Sequence, residues 1–278
     1  MGNQEKVSFL KDKAKELRKT ALTMIHEANS GHPGGSLSAA DIMAALYFYE
    51  LKLDPQNPSW YERDRFVLSK GHVCPILYSS LILRGFMDKK EIYNLRKFKS
   101  ILQGHPDMKK TPGVDISTGS LGQGLSTAVG MALGLKRDGI GSRVFCLVGD
   151  GETNEGQIWE AVQTAVKYEL DNMVIFVDNN RIQNDGFCDE IMPVLDLKDK
   201  FQAFGCETYR IDGHKMEEIV NILDQIRGRR NKKPIVIVAS TVKGKGVSFM
   251  EDVPKWHGVA PNDEEFEQAL REIEEGLK

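Results

Sequence analysis

Val7, Leu10, Ala14, Leu17, Ala21 and Met24 recur near the helical period through an otherwise polar stretch, which predicts one amphipathic helix from about residue 4 to 28. "NSGHPGG" breaks that pattern, and a second helix is expected through "AADIMAALYFYE", capped by the hydroxyl of Ser36 or Ser38. "KLDPQNPSW" reads as loop, "RFVLS" as a short buried strand and "HVCPILYSSLILRG" as a helix with an early proline. "LQGHPDMKKTPGVDISTGSLGQG" is a long glycine-rich connection, and loops of that length are functional or disordered. A regular alternation follows: helix 121–138, strand 143–149, helix 155–169, strand 173–178, helix near 196–204, strand 206–211, helix 215–229 and strand 234–241. "DEEFEQALREIEEGLK" closes the chain as a polar-faced helix. Strands and helices taking turns predict an α/β fold in three layers, a mostly parallel central sheet with helices on both faces. With no repeat, low-complexity tract or linker, residues 1–278 read as a single domain.

Composition narrows the function classes. The 37 basic and 40 acidic side chains give a formal charge of -3, so no global basic field draws the protein onto nucleic acid or anionic lipid. The longest apolar runs, "MVIFV" and "IVIVA", are too short to span a bilayer, and the charged amino terminus is unlike a secretory signal. Cys74, Cys146, Cys188 and Cys206 are scattered without metal-ligand spacing, which fits a reducing, cytoplasmic setting.

The candidate chemistry sits at strand ends. Gly149, Asp150 and Gly151 close strand 143–149, and in an open parallel sheet ligands gather beyond the carboxyl ends of the strands. The helix amino terminus that follows suits a phosphate, and glycines let the backbone approach it closely. An aspartate beside a diphosphate makes sense only with a cation between them. The next strand runs into Asp178, Asn179, Asn180, Arg181 and Ile182, and a right-handed crossover places both ends on one edge. The Asp150 carboxylate, the Asn180 amide oxygen and the Ile182 main-chain carbonyl form a hard oxygen set that suits Mg²⁺, leaving positions for diphosphate oxygens and water. Either motif alone is ordinarily a tight turn or a surface loop; in register on adjacent strands they reinforce each other.

Gly-Asp-Gly, 27 intervening residues and Asn-Asn resemble the thiamine diphosphate signature of the thiamine-dependent enzymes. "ANSGHPGGSLSAADIM", "RDRFVLSKGHVCPILYS", "GHPDMKKTPGVDISTGSLGQGLSTAVGMALG" and "KGKGVSFMEDVPKWHG" all resemble transketolases, in the part of that enzyme that grips the diphosphate. The resemblance implies thiamine diphosphate with Mg²⁺ (Ca²⁺ or Mn²⁺ substituting) and transfer of a two-carbon glycolaldehyde unit from a ketose phosphate to an aldose phosphate, as in the pentose phosphate pathway. It implies as partner a separate carboxyl-terminal subunit with the pyrimidine-binding domain and catalytic glutamate, in a two-plus-two heterotetramer inactive without it.

Residue by residue, the resemblance makes His32 and His105 contacts to the donor sugar, and His72 and His257 a pair near diphosphate and substrate, with His257 also a proton-transfer candidate. These four are the catalytic candidates, and the chemistry asks for groups titrating near neutral pH. Lys243 resembles a phosphate-contacting lysine, with Lys245 beside it, and Gly119, Ser120 and Leu121 a loop approaching the pyrimidine through its backbone. Asp150, Gly151 and Asn180 complete the cofactor contacts, and Asp150, Asn180 and Ile182 the metal set. Glu155 and Glu160 read as sharing one face of helix 155–169, and His26 and His214 have no motif role. Rival readings are another thiamine enzyme, such as a deoxyxylulose phosphate synthase-like or specialised-sugar transketolase subunit, and a non-catalytic cofactor-binding subunit.

Overall fold

The computed structural model describes residues 2–277. Helix α1 (Asn3–Glu27) buries the predicted stripe, Leu10, Leu17 and Met24 among it. The next helical segment starts earlier than the sequence pattern indicates. Helix α2 (Pro33–Ser38) begins at a proline, whose missing N–H costs nothing in a first turn. Helix α3 (Ala40–Ala45) then continues into a π-helical turn at Leu46–Glu50. Ser36 and Ser38 therefore lie inside α2 and cap nothing: Ser36 donates to the His32 carbonyl at 2.8 Å, and Ser38 donates across the molecule to Asp178 at 2.6 Å.

Strands β1 (Arg65–Leu68), β2 (Val144–Gly149), β3 (Met173–Asn179), β4 (Glu207–Asp212) and β5 (Ile235–Ser240) form one parallel sheet in the order β1-β2-β3-β5-β4. Their side chains alternate between two cores. Phe145, Leu147, Phe176 and Ile237 point to α1, α3, α4 (Cys74–Arg84) and α9 (Met216–Ile226). Cys146, Val148, Ile175 and Val238 point to α5 (Gln123–Arg137), α6 (Gly156–Lys167) and α8 (Leu197–Ala203). Full burial of each large apolar side chain contributes about 2 kcal/mol, so both layers are held firmly to the sheet.

The connections out of β2 and β3 cross on the α6/α8 face, whereas the one out of β4 crosses on the α9 face. The chain leaving β5 runs to α10 (Asp263–Glu275) against α1, on the side opposite α8, so loops diverge beyond β3 and β5 and leave a crevice at the carboxyl edge. The long connection before α5 is tied down along its length: Tyr78 donates to the carbonyls of Gln103 and His105 at 2.9 and 3.0 Å, and Thr118 to that of Leu68 at 2.7 Å. A short helix α7 (Cys188–Ile191) follows β3, and α10 (Asp263–Glu275) packs with Trp256 and Leu22 in a third, smaller core.

Candidate functional site

Register brings the two motifs together. Gly149 pairs with Asp178, and the N–H of Asp150 donates to the Asp178 carbonyl at 3.2 Å. Asp150 and Asn180 therefore tip over the same sheet edge, one residue and two residues past that pair. The crevice there is a cavity of about 420 Å³, within the usual span for small-molecule sites. Of the sequence-derived candidates, His32, His72, Gly119, Leu121, Asp150, Gly151, Asn180, Ile182, Lys243 and His257 line it.

Asp150 is buried, and its carboxylate accepts only backbone N–H groups here, from Gly151 at 2.7 Å and Arg181 at 2.5 Å. Burial, with the negative charge of Asp178 behind it, raises this carboxyl to about 6. Asn180 turns its amide oxygen to the Ile182 N–H at 3.2 Å, and the Ile182 carbonyl accepts from the Lys243 ammonium at 2.9 Å. Lys243 also meets His257 Nδ1 at 2.7 Å, and burial together with the neighbouring Lys70 lowers its ammonium to about 8. Among the described residues no cluster of three or more His, Cys, Asp or Glu side chains is arranged for a metal. The Asp150–Asn180–Ile182 set holds a single carboxylate, so a cation there needs further oxygens from an anionic ligand.

Three of the four histidines converge. The rings of His32, His72 and His257 lie 5.1 to 5.4 Å apart, centroid to centroid. Burial is the main reason each is hard to protonate: His32 falls to about 4, His257 to about 3 and His72 well below its ordinary value, with Arg96, Lys243 and Lys70 adding to the effect. This corrects the expectation of groups poised near neutral pH. His72 and His257 stack while His32 meets both edge-on, and imidazoles clustered beside two ammonium groups stay neutral, as acceptors rather than acids. Nδ1 of His32 and Nε2 of Gln183 are buried without a partner among the described residues, two polar atoms left for something that enters the cavity.

His105 is largely exposed, outside the cavity, with its ring against the backbone of Gly119; the partial desolvation of that packed ring, with Arg96, keeps it less basic than usual. The Ser120 side chain is exposed and contributes nothing to the lining, whereas Leu121 forms an apolar wall. Gly122, in the left-handed region at φ 84°, starts α5, and a Cβ there would press on Glu155 and Gln157 at 3.1 Å. Glu155 is the N-cap of α6 and borders the cavity, whereas Glu160 is solvated. A separation of five residues is about 140° around a helix, so the two do not share a face. Lys245 pairs with Glu251 at 3.1 Å, away from the lining.

Sequence reasoning missed the charged floor. Asp178 is fully buried and accepts from the Lys70 ammonium at 2.5 Å, from Ser38 at 2.6 Å and from Thr241. Burial would raise its carboxyl, but Lys70 and these donors more than offset that and hold it below its ordinary value. Glu152 ties three loops: one oxygen accepts from Ser69 at 2.5 Å and the Gly122 N–H at 2.9 Å, the other from the Gly149 N–H at 3.0 Å. Lys70 stands at the end of β1 in "SKGH" and Glu152 follows Gly-Asp-Gly; a charged residue at a buried strand end was the available signal for both.

Residues 10–274 match the family described as transketolase, thiamine diphosphate binding domain. The chain is 44% identical over 265 residues to the 6-deoxy-6-sulfo-D-fructose transketolase subunit SqwG of Clostridium sp. (strain MSTE9), covering 95% of this chain and 96% of that one. It is 40% identical to one of the subunits of the apulose-4-phosphate transketolase of Phocaeicola vulgatus, covering 98% of this chain and 96% of that one. A solved structure of transketolase from Campylobacter jejuni superposes with a TM-score of 0.90 at 36% identity, over 96% of this chain and 43% of that larger one.

Proposed function

The chain belongs to the transketolase family, as its thiamine diphosphate-binding domain, and from that premise we propose that it works with a separately encoded carboxyl-terminal subunit to move a glycolaldehyde unit from a ketose phosphate to an aldose phosphate. The near whole-length match to two proteins named as subunits supports a partner chain; two of each chain is the assembly we favour. Residues 1–278 are then the diphosphate-gripping domain, with the pyrimidine site and catalytic glutamate on the partner.

The observation that carries this reading is the buried Asp150 carboxylate with no side-chain cation of its own, converging with Asn180 and the Ile182 carbonyl at two adjacent strand tips. The donor set fits Mg²⁺ bound together with a diphosphate. Asp150, Asn180 and Ile182 would hold the metal; Lys243 would give up the Ile182 carbonyl for phosphate oxygens, and His72 and Gly151 border the same anion. Bound thiamine diphosphate supplies the carbanion chemistry. His32 and His257, neutral and partly buried, accept hydrogen bonds from the sugar hydroxyls, and His105 steadies the sugar at the rim. Gly119, Ser120 and Leu121 offer backbone and an apolar wall to the ring beyond.

The test is reconstitution. The chain mixed with its partner, thiamine diphosphate and Mg²⁺ should transfer two carbons between xylulose 5-phosphate and ribose 5-phosphate and leave pyruvate with glyceraldehyde 3-phosphate untouched. Cofactor binding without ketol transfer from any donor would overturn the enzyme reading in favour of a non-catalytic subunit. A second reading, a donor outside ordinary pentose phosphates, is favoured by the names of the two subunits matched at full length, a sulfo-sugar and an apulose phosphate enzyme. A donor panel including both sugars separates the two readings.

A further inference from the structure

His214 has no role in the motifs, yet it sits at a junction of four elements. It follows β4 in the turn into α9, and that turn is pressed onto the end of β5. The Gly213 N–H donates to the Ser240 carbonyl at 2.8 Å, and a Cβ on Gly213 would come within 2.5 Å of Thr241. The imidazole Nδ1 lies 2.8 Å from Asp41 on α3, and Nε2 lies 2.8 Å from the backbone N–H of Val242. Asp41 in turn pairs with Arg18 of α1 at 2.5 Å, and Arg18 also donates to the Leu37 carbonyl of α2 at 3.3 Å.

The chemistry leaves one arrangement of protons. A backbone N–H can only donate, so Nε2 must present its lone pair to Val242 and the ring proton must be on Nδ1. Burial alone would push the Asp41 carboxyl up, but Arg18 and His214 hold it at about 2, so it is a carboxylate and takes that proton. The charge on Asp41 makes Nε2 the better acceptor, as an outer carboxylate does for a metal-bound histidine.

Val242 is the residue before Lys243. Its loop carries a cost that must be met from outside: the Lys243 ammonium is buried close to Lys70 and is less stable there than in water. Two side chains outside the loop hold its first residues, Asp178 through the Thr241 hydroxyl and His214 through the Val242 N–H. The first belongs to the charged floor; the second has no other evident task.

We propose that His214, oriented by Asp41 and Arg18, is a positioning residue that fixes the backbone of Val242 and so aims the Lys243 ammonium at the diphosphate. This rests on the reading of Lys243 as a phosphate contact, and the experiment distinguishes failure of either. The dissociation constant of thiamine diphosphate with Mg²⁺ is measured by intrinsic fluorescence on the assembled complex. The variants are His214→Phe, His214→Gln, Lys243→Met and the double variant His214→Phe/Lys243→Met, each checked by circular dichroism.

His214→Phe fills the space without an acceptor and should weaken cofactor binding by about 10-fold, with kcat at saturating cofactor unchanged. His214→Gln keeps an oxygen for Val242 and an N–H for Asp41, and should recover most of the affinity. The double variant should bind no more weakly than Lys243→Met alone. Wild-type affinity in a folded His214→Phe, when Lys243→Met is weakened, or additive losses in the double variant, would overturn the role of His214. Wild-type affinity in Lys243→Met would overturn the Lys243 reading and this inference with it. If His214→Phe does not fold, His214→Ala is measured in its place against the same outcomes.

Discussion

The sheet carries buried charge at both ends, and the two ends are built differently. At the amino ends of β1 and β2, the fully buried Glu50 carboxylate lies between Arg143, at 2.7 Å, and Arg227, while Asp115 takes Arg63 at 2.6 Å and the Phe66 N–H at 2.8 Å. Asp64 accepts from the N–H groups of Lys52 and Arg143 at 2.9 and 2.8 Å and has the Arg143 guanidinium 3.9 Å away. At the carboxyl ends, Lys70 and Asp178 satisfy each other, but Asp150 has only N–H donors and Lys243 only a carbonyl and an imidazole. The chain neutralises its amino-end charges from within and leaves one carboxylate and one ammonium at the other end for a ligand. Charge that closes on itself is architecture; buried charge that does not is a binding site.

That contrast can be broken at several points. The largest effect is expected from Lys70→Met, which strands the fully buried Asp178 and should lower unfolding free energy by about 4 kcal/mol in a denaturant titration. Next comes pH in the metal-free protein. Asp150 titrates at about 6 in the fold against 3.8 unfolded, so between those values the folded chain holds the extra proton. Stability should then fall as pH rises from about 4 to 6, by as much as about 3 kcal/mol. Asp150→Asn should flatten that slope, and saturating Mg²⁺ with thiamine diphosphate should remove the loss.

At the opposite end, Glu50→Ala should cost about 2 kcal/mol, less than Lys70→Met because, of the two cations left behind, Arg227 is partly exposed and solvated and Arg143 keeps Asp64 at 3.9 Å. It should leave the cofactor dissociation constant unchanged; a weakened one would mean the two ends are not separate in function. Smallest of all, Ser120→Ala should move stability by less than about 0.5 kcal/mol and leave cofactor affinity unaltered, since that side chain is exposed and is not part of the cavity lining.

What could be read from the sequence follows from how local the cause is. The period of α1 and the alternation from α5 to β5 were legible because burial repeats every turn along a helix and runs unbroken through strands covered on both faces. Pro33 was misread as part of a break because a proline signals a helix start as readily as an interruption, and the π-helical turn at Leu46–Glu50 leaves no mark on hydrophobic spacing. In the site, Asp150, Asn180 and Lys243 stood out by motif. The Lys70–Asp178 pair spans 108 residues and Glu152 reaches Ser69 across 83, separations at which partner choice is a property of the fold. The depressed basicity of the histidines has the same origin, since it comes from neighbours that only folding assembles.

The central claim is that two adjacent strand tips grip one divalent cation and through it a diphosphate. Titrating thiamine diphosphate calorimetrically into the assembled complex, with and without Mg²⁺, for wild type and for Asp150→Ala, tests this most directly. Wild type should bind only with the metal, and Asp150→Ala should lose roughly 100-fold or more of that affinity while remaining folded. Metal-dependent binding at wild-type strength in a folded Asp150→Ala complex would contradict the account.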